Sequence, residues 1–203
     1  LTALAIMGLL PDGLTATENL RAIPRRVRQL VERQYACWRD ELTPALAEHR
    51  INFLEVPDLD PADRKWLENF YFTQVRPVLT PLGLDPAHPF PQLLNKSLNL
   101  IVQLEITEEG EPRRRLGIVQ VPRILPRLVQ LPRNDSRREY VFLGKLIGHY
   151  LADLFPGTKL LGHWLFRVTR NSELYIEEEE AANLLHAVEA ELHNRRKGAA
   201  VRL

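Results

Sequence analysis

Cysteine is nearly absent from this chain: Cys37 is the one example in 203 residues. A single thiol excludes an internal disulfide and a cysteine-rich zinc site, and its place inside a helical pattern fits packing in a reducing compartment. Long apolar runs are missing too, with none approaching the roughly 20 residues that cross a bilayer. The apolar opening Leu1–Leu10 has no basic region before it and no small-residue cleavage site after it. It reads as the tail of a helix and not as a signal peptide. Glycine is scattered, ten in all, with no Gly-rich phosphate loop of the dinucleotide or P-loop type. Protein-kinase phrases are absent as well. Excess charge of one sign is also lacking: a net charge of +1 excludes a globally basic nucleic-acid binder but leaves room for a local patch.

What is present is ordinary in amount and unusual in arrangement. The chain is 45% hydrophobic and 26% charged, the composition of a globular protein of one or two domains. Its charges are segregated. Arg113 to Arg138 holds eight arginines against one acid, Asp135, while acids gather at Glu177–Glu180. The acidic run opens a predicted helix, Glu178–Arg196, whose basic end at Arg195, Arg196 and Lys197 complements the macrodipole. Gly198 then caps it.

The first third reads as helical. Thr15 and Glu18 have capping-box spacing, and apolar residues recur at Ile23, Val27, Leu30, Val31, Trp38, Leu42 and Leu46. Pro24 and Pro44 are expected to kink or break this stripe. Asp60 and Pro61 open a second helix with Trp66, Leu67, Phe70, Tyr71 and Val75 on its apolar face. The two helices, linked by Ile51–Val56, form an expected helical hairpin. Five prolines between Pro77 and Pro91 then mark a connector. Beyond it Leu98, Leu100, Val102, Leu104 and Ile106 alternate as a strand. A hairpin loop at Glu108–Pro112 leads back through Leu116–Val121. Weaker strands follow at 127–131 and 139–143, then a helix over 144–155. Strands over 159–170 and 172–176 flank a turn at Asn171, and Ala199–Leu203 reads as the start of a strand with no partner after it. The predicted class is α+β: a helical hairpin over residues 1–74, then a domain over 75–203 with a largely antiparallel sheet and two main helices.

Few residues offer chemistry. His186, Glu189 and His193 share about one helix face but read as a solvated side. His149 and Asp153, four apart, read as a surface pair worth a few tenths of a kcal/mol. His88, held between Pro86 and Pro89, is a structural loop candidate. The arginines are the candidates for binding. Arg113–Arg115 read as a solvated edge. Arg123 and Arg127 each follow a proline that fixes the backbone, and preorganised guanidinium groups lose less entropy on meeting phosphate. Arg167 and Arg170, three apart, face opposite sides of a strand, so one of them at most joins a given surface. These four, with Asn171, face either a polyanion or protein carboxylates, and the residues alone leave both open.

Several phrases resemble bacterial polyphosphate kinase. They are Asp12–Thr15, Val78–Leu82, Asp85–Pro91, Ser97–Leu100, Val121–Arg123, Leu125–Arg127, Phe155–Gly157, Phe166–Asn171 and Ala200–Leu203, in family order along nearly the whole chain. The resemblance implies the end of an N-terminal helical domain followed by the family's head domain. It implies an enzyme that reversibly passes the terminal phosphoryl group of ATP to inorganic polyphosphate through a phosphohistidine, with Mg²⁺. The nucleotide-contacting asparagine, the phosphorylated histidine and the magnesium-binding arginines lie outside this stretch, so no catalytic residue, cofactor or metal is assigned within it. For this segment the resemblance implies subunit association, as a dimer or higher homo-oligomer, and shaping of the polyphosphate path. It further implies a cytoplasmic place, at most peripheral to the inner membrane, with no nucleic-acid partner and no transmembrane segment. The rival is a stand-alone α+β module that binds polyanions or a protein partner without catalysis.

Overall fold

A computed structural model describes residues 13–84, 91–108, 110–170 and 200–202. The chain divides into two compact units. One comprises residues up to Phe53 with Arg133–Glu139, the other Leu54–Pro132 with the residues from Tyr140 onward.

In the first unit, helix α1 spans Ala16–Ala36. The capping box is made: Thr15 Oγ1 accepts from the Glu18 N–H, and the Glu18 carboxylate accepts from the Thr15 N–H at 2.8 Å. The helix runs through Pro24 without ending, and the chain continues through a wide turn at Cys37–Leu42 into α2, Thr43–Glu48. Pro44 sits in the first turn of α2, where a missing N–H costs little. The stripe predicted for this region keeps Ile23 and Leu30 exposed. Arg50 takes a left-handed φ of 60°, and strand β1, Ile51–Phe53, follows. Phe53 packs against Trp38 with ring centroids 5.1 Å apart. The Arg50 carbonyl accepts from the Arg138 N–H at 2.8 Å.

The second unit opens with a short 3-10 turn at Val56–Asp58 and helix α3, Pro61–Phe70, capped by Asp60 as its sequence predicts. Its apolar face belongs to this unit's core. Leu67, Tyr71 and Val75 are fully buried, and burial of such side chains is worth about 1.5–3 kcal/mol each. Strand β2, Pro81–Leu84, lies inside the proline-rich stretch read as a connector. Proline lacks the N–H a central strand needs, but Pro81 is the first residue of an edge strand, where that loss is tolerated. Strands β3, Leu98–Glu108, and β4, Glu111–Gln120, form a tighter hairpin than the predicted loop, turning at Gly110 with φ 85°. Two short strands, β5 (Leu128–Gln130) and β6 (Arg138–Phe142), pair antiparallel through Leu128–Phe142 and Val129–Val141.

The helix expected over 144–155 is two pieces, α4 (Leu143–His149) and α5 (Leu151–Leu154). The break falls at Tyr150, whose ring stacks on Tyr71 at 4.5 Å. Strand β7, Lys159–Arg167, completes an antiparallel sheet in the order β2-β4-β3-β7. The chain then leaves this sheet: β8, Thr169–Arg170, pairs with β9, Ala200–Arg202. That supplies the partner that the closing residues lacked in the sequence reading. The α+β class with antiparallel pairing holds. The stretches 1–12, 172–176 and 178–196, for which a helix tail, a strand and a helix are predicted, lie outside the described residues.

One face of the sheet carries Leu100, Val102, Leu104 and Val119 into the core with α3, α4 and α5. Helix α4 lies close because Gly144 and Gly148 face β7. A Cβ on Gly144 would stand 2.9 Å from Leu165 Cδ2, and one on Gly148 2.7 Å from His163 Nε2. The opposite face holds a smaller cluster of Leu93, Ile118 and Val168.

Burial pushes the Tyr71 phenol up to about 12, with Asp153 adding to the shift and Arg76 opposing it. Folding therefore favours the protonated phenol. Its contribution to stability is complete below about pH 10 and is lost as pH rises through about 12. Absorbance titration at 295 nm should show a late-ionising tyrosine component, and Tyr71→Phe should diminish it, since burial raises Tyr150 as well. An unchanged titration in Tyr71→Phe contradicts this assignment.

Candidate anion-binding site

The loop from Val121 to Arg127 is pinned at both ends. The Val121 N–H donates to the Leu98 carbonyl at 3.0 Å, and the Leu143 N–H, at the start of α4, donates to the Arg127 carbonyl at 2.9 Å. Pro122 and Pro126 fix φ within it, and Val121 and Leu125 pack on the core. Ile124 is left 84% exposed at the tip. A short span with both ends fixed leaves Arg123 and Arg127 little freedom of placement.

A second element meets the first. The Ser97 N–H and hydroxyl both donate to the Leu94 carbonyl, at 3.1 and 2.8 Å, closing a turn in which Lys96 has φ 58°. The Lys96 N–H donates to the Val168 carbonyl at 2.8 Å, tying the turn to the end of β7. Asn99, wholly buried, donates from Nδ2 to the Ser97 carbonyl and hydroxyl at 3.0 Å each. From this turn the Asn95 carbonyl accepts from Arg123 Nη2 at 3.2 Å. Asn99 therefore positions the turn that positions Arg123.

Arg127 is the centre of the electrostatics. Its guanidinium is held below the usual arginine value, first by burial, then by Arg167 and Arg123. Its Nη1 is buried and meets no hydrogen-bond acceptor among the described residues. Three cations thus repel one another across one site, and among the described residues none of them lies within salt-bridge distance of a carboxylate. Arginines elsewhere differ. Arg115 grips Glu108 through two contacts at 2.9 Å, and Arg113 approaches the same carboxylate at 3.6 Å. Arg133 pairs with the buried Glu139, Arg137 with Asp135 at 2.8 Å, and Arg76 with Asp153 at 2.5 Å.

Of the residues singled out by sequence, Arg123, Arg127 and Arg167 come together. The opposite-faces argument for Arg167 and Arg170 presumed one continuous strand, but β7 ends at Arg167 and Arg170 belongs to β8. The Arg170 side chain, Asn171, His88, His186, Glu189 and His193 lie outside the described residues. The expected pairing of His149 with Asp153 is replaced: Arg76 takes Asp153, and His149 sets its ring edge-on to Tyr150 at 4.8 Å. Arg113–Arg115, read as a solvated edge, lie within β4 opposite β3. Asn99, Ser97 and Asn95 were missed as positioning residues. The available signal was an asparagine interrupting the apolar strand Leu98–Ile101.

The arrangement can bind an oxyanion. Among the described residues no three imidazole, thiol or carboxylate side chains gather as a metal-binding cluster. No helix among them is long and apolar enough to cross a membrane.

Comparison with known proteins matches two consecutive families: the polyphosphate kinase N-terminal domain over residues 3–54 and the polyphosphate kinase middle domain over 62–203. The chain is 41% identical to a polyphosphate kinase of Xylella fastidiosa over 196 residues, covering 95% of the chain and 28% of that relative. It is 42% identical to one from Paraburkholderia phytofirmans over 197 residues, covering 96% and 29%. The crystal structure of polyphosphate kinase from Porphyromonas gingivalis has the same fold with a TM-score of 0.70 at 24% identity, over 88% of this chain and 30% of that one. The chain thus spans less than a third of the length of these relatives.

The two kinds of arginine should respond oppositely to truncation. Arg133→Met leaves the buried Glu139 with only Arg137, at 3.9 Å, and should cost about 3 kcal/mol in urea unfolding. Arg127→Met removes a partly buried guanidinium that pairs with no carboxylate among the described residues, so the midpoint should hold or rise in buffer free of phosphate and sulfate. Equal losses in both would show that Arg127 has a partner.

Proposed function

The chain belongs to the polyphosphate kinase family, and from that premise we propose that it is a segment of a longer cytoplasmic phosphotransferase acting between ATP and inorganic polyphosphate. The observation that carries the reading is the match of two consecutive family domains, in order, along nearly the whole chain. In the proposed reaction a histidine outside this segment attacks the terminal phosphorus of ATP. The bond to the bridging oxygen breaks and ADP departs. The terminal oxygen of a polyphosphate chain then takes the phosphoryl group, lengthening the chain by one unit and freeing the histidine. Mg²⁺, when bound elsewhere in the protein, would screen the phosphate charge.

Within that enzyme the segment's proposed work is electrostatic and architectural. Arg123, Arg127 and Arg167 offer positive charge that no carboxylate among the described residues pairs with, which favours an approaching polyphosphate. Dimerisation is the second proposed role. Trp164, 56% exposed, and Leu116 stand on the sheet face turned away from α4, where an apolar partner surface would bury them.

Purified full-length protein should release ADP and lengthen polyphosphate when given ATP. The 203-residue segment alone should do neither and should acquire no label from γ-labelled ATP. Labelling of the segment, or inactivity of the full-length protein, contradicts the reading. In sedimentation, Trp164→Glu in the full-length protein should shift the population toward monomer; an unchanged profile removes this face from the interface.

A further inference from the structure

We propose that Arg123, Arg127 and Arg167 form a discrete receptor for one phosphoryl unit of a phosphoanhydride chain, with the buried Nη1 of Arg127 as its fixed donor. The proposal rests on the phosphotransferase reading for its ligand class, but its geometry stands on this chain alone.

Three observations carry it. The first is the orphan donor. Arg127 Nη1 is buried with no acceptor among the described residues, an arrangement that an incoming oxyanion would complete. The second is charge. Arg167 and Arg123 both act on Arg127, and no described carboxylate lies within reach of the three. One peptide carboxylate brings a single negative charge and two coplanar oxygens. A phosphoryl group brings oxygens in a tetrahedral array and, in a chain, further charge on its neighbours. That suits three guanidinium groups carried on different elements. The third is preorganisation. Arg123 is tethered to the Asn95 carbonyl at 3.2 Å, in a turn fixed by Ser97 and the buried Asn99. Arg127 is fixed by the bond from Leu143 to its carbonyl at 2.9 Å, and Arg167 by its place opposite Leu98 in the sheet. Three cations held on fixed backbone beside one another form a site suited to an oxyanion.

The test uses hydrogen–deuterium exchange of the full-length protein, whose readout is local and independent of turnover. Tripolyphosphate should slow exchange in residues 94–98, 121–128 and 165–168, with sulfate at equal ionic strength as control. Arg167→Met, at an exposed strand end, should fold normally and raise the concentration needed for protection about tenfold or more. Arg127→Lys keeps the charge, loses the planar fork, and should weaken protection similarly. ATP and inorganic phosphate identify the source. Protection by tripolyphosphate without ATP assigns the site to condensed phosphate, and protection by ATP as well admits a nucleotide's phosphates. The proposal is overturned if wild-type protein shows no protection at millimolar tripolyphosphate, or the same protection as Arg167→Met. It is equally overturned if Arg127→Met lowers the melting temperature while no phosphate protects, since a carboxylate from the rest of the protein then fills the site. Protection in a protein that makes no polyphosphate would refute the enzymatic reading and leave the site standing.

Discussion

Helix α4 can lie against the sheet because positions 144 and 148 carry no side chain. With a Cβ at either place, the Leu165 or His163 side chain of β7 would have to shift to keep the helix as close. Much else hangs on that close approach. The Leu143 N–H at the start of α4 holds the Arg127 carbonyl, and Leu146, Ile147 and Leu151 seal the core beneath β3. Raising the helix would loosen the loop that presents Arg123 and Arg127, even though neither glycine touches an arginine. Placement of the charged cluster is thus a consequence of packing density in an apolar interface.

The parts of the fold legible in the sequence are those governed by local rules. The Thr15 capping box, the Asp60–Pro61 helix start and the period-two run from Leu98 to Leu104 each depend on residues a few positions apart. The parts that were not legible depend on distant partners. Strand β2 exists because β4 offers Val119 and Ile118 to pair with Pro81 and Leu82, and no local signal outweighed its proline. The break at Tyr150 exists because Tyr71 waits to stack on its ring. The candidate site divides in the same way. Arg123 and Arg127 stood out because a proline precedes each, whereas the company of Arg167 required knowing that β7 ends there. Asn99 had no charge to draw notice, yet it orders the turn beside Arg123.

Charge segregation along the sequence proves in space to be sorting by partner. Near the β3–β4 hairpin and in the 133–139 segment, arginines are matched to Glu108, Glu139 and Asp135, and their charge is spent on structure. At the end of the sheet beside Val168 no such match occurs among the described residues. The same residue type therefore serves as internal brace in one place and as outward-facing charge in another. The difference lies in which acids the fold brings near, and composition does not record it.

The pairing of β8 with β9 has a consequence for how this part of the chain tolerates change. Thr169–Arg170 and Ala200–Arg202 clasp the two ends of residues 171–199 together, directly after the arginine-bearing end of β7. A ladder this short has little redundancy, so a proline in either strand, which removes a donor, would open it. Strand β7 is paired to β3 along nearly its whole length, and the loss of one pairing there would be absorbed. Tolerance to substitution therefore falls steeply just past Arg167, where a redundantly anchored strand gives way to a single latch.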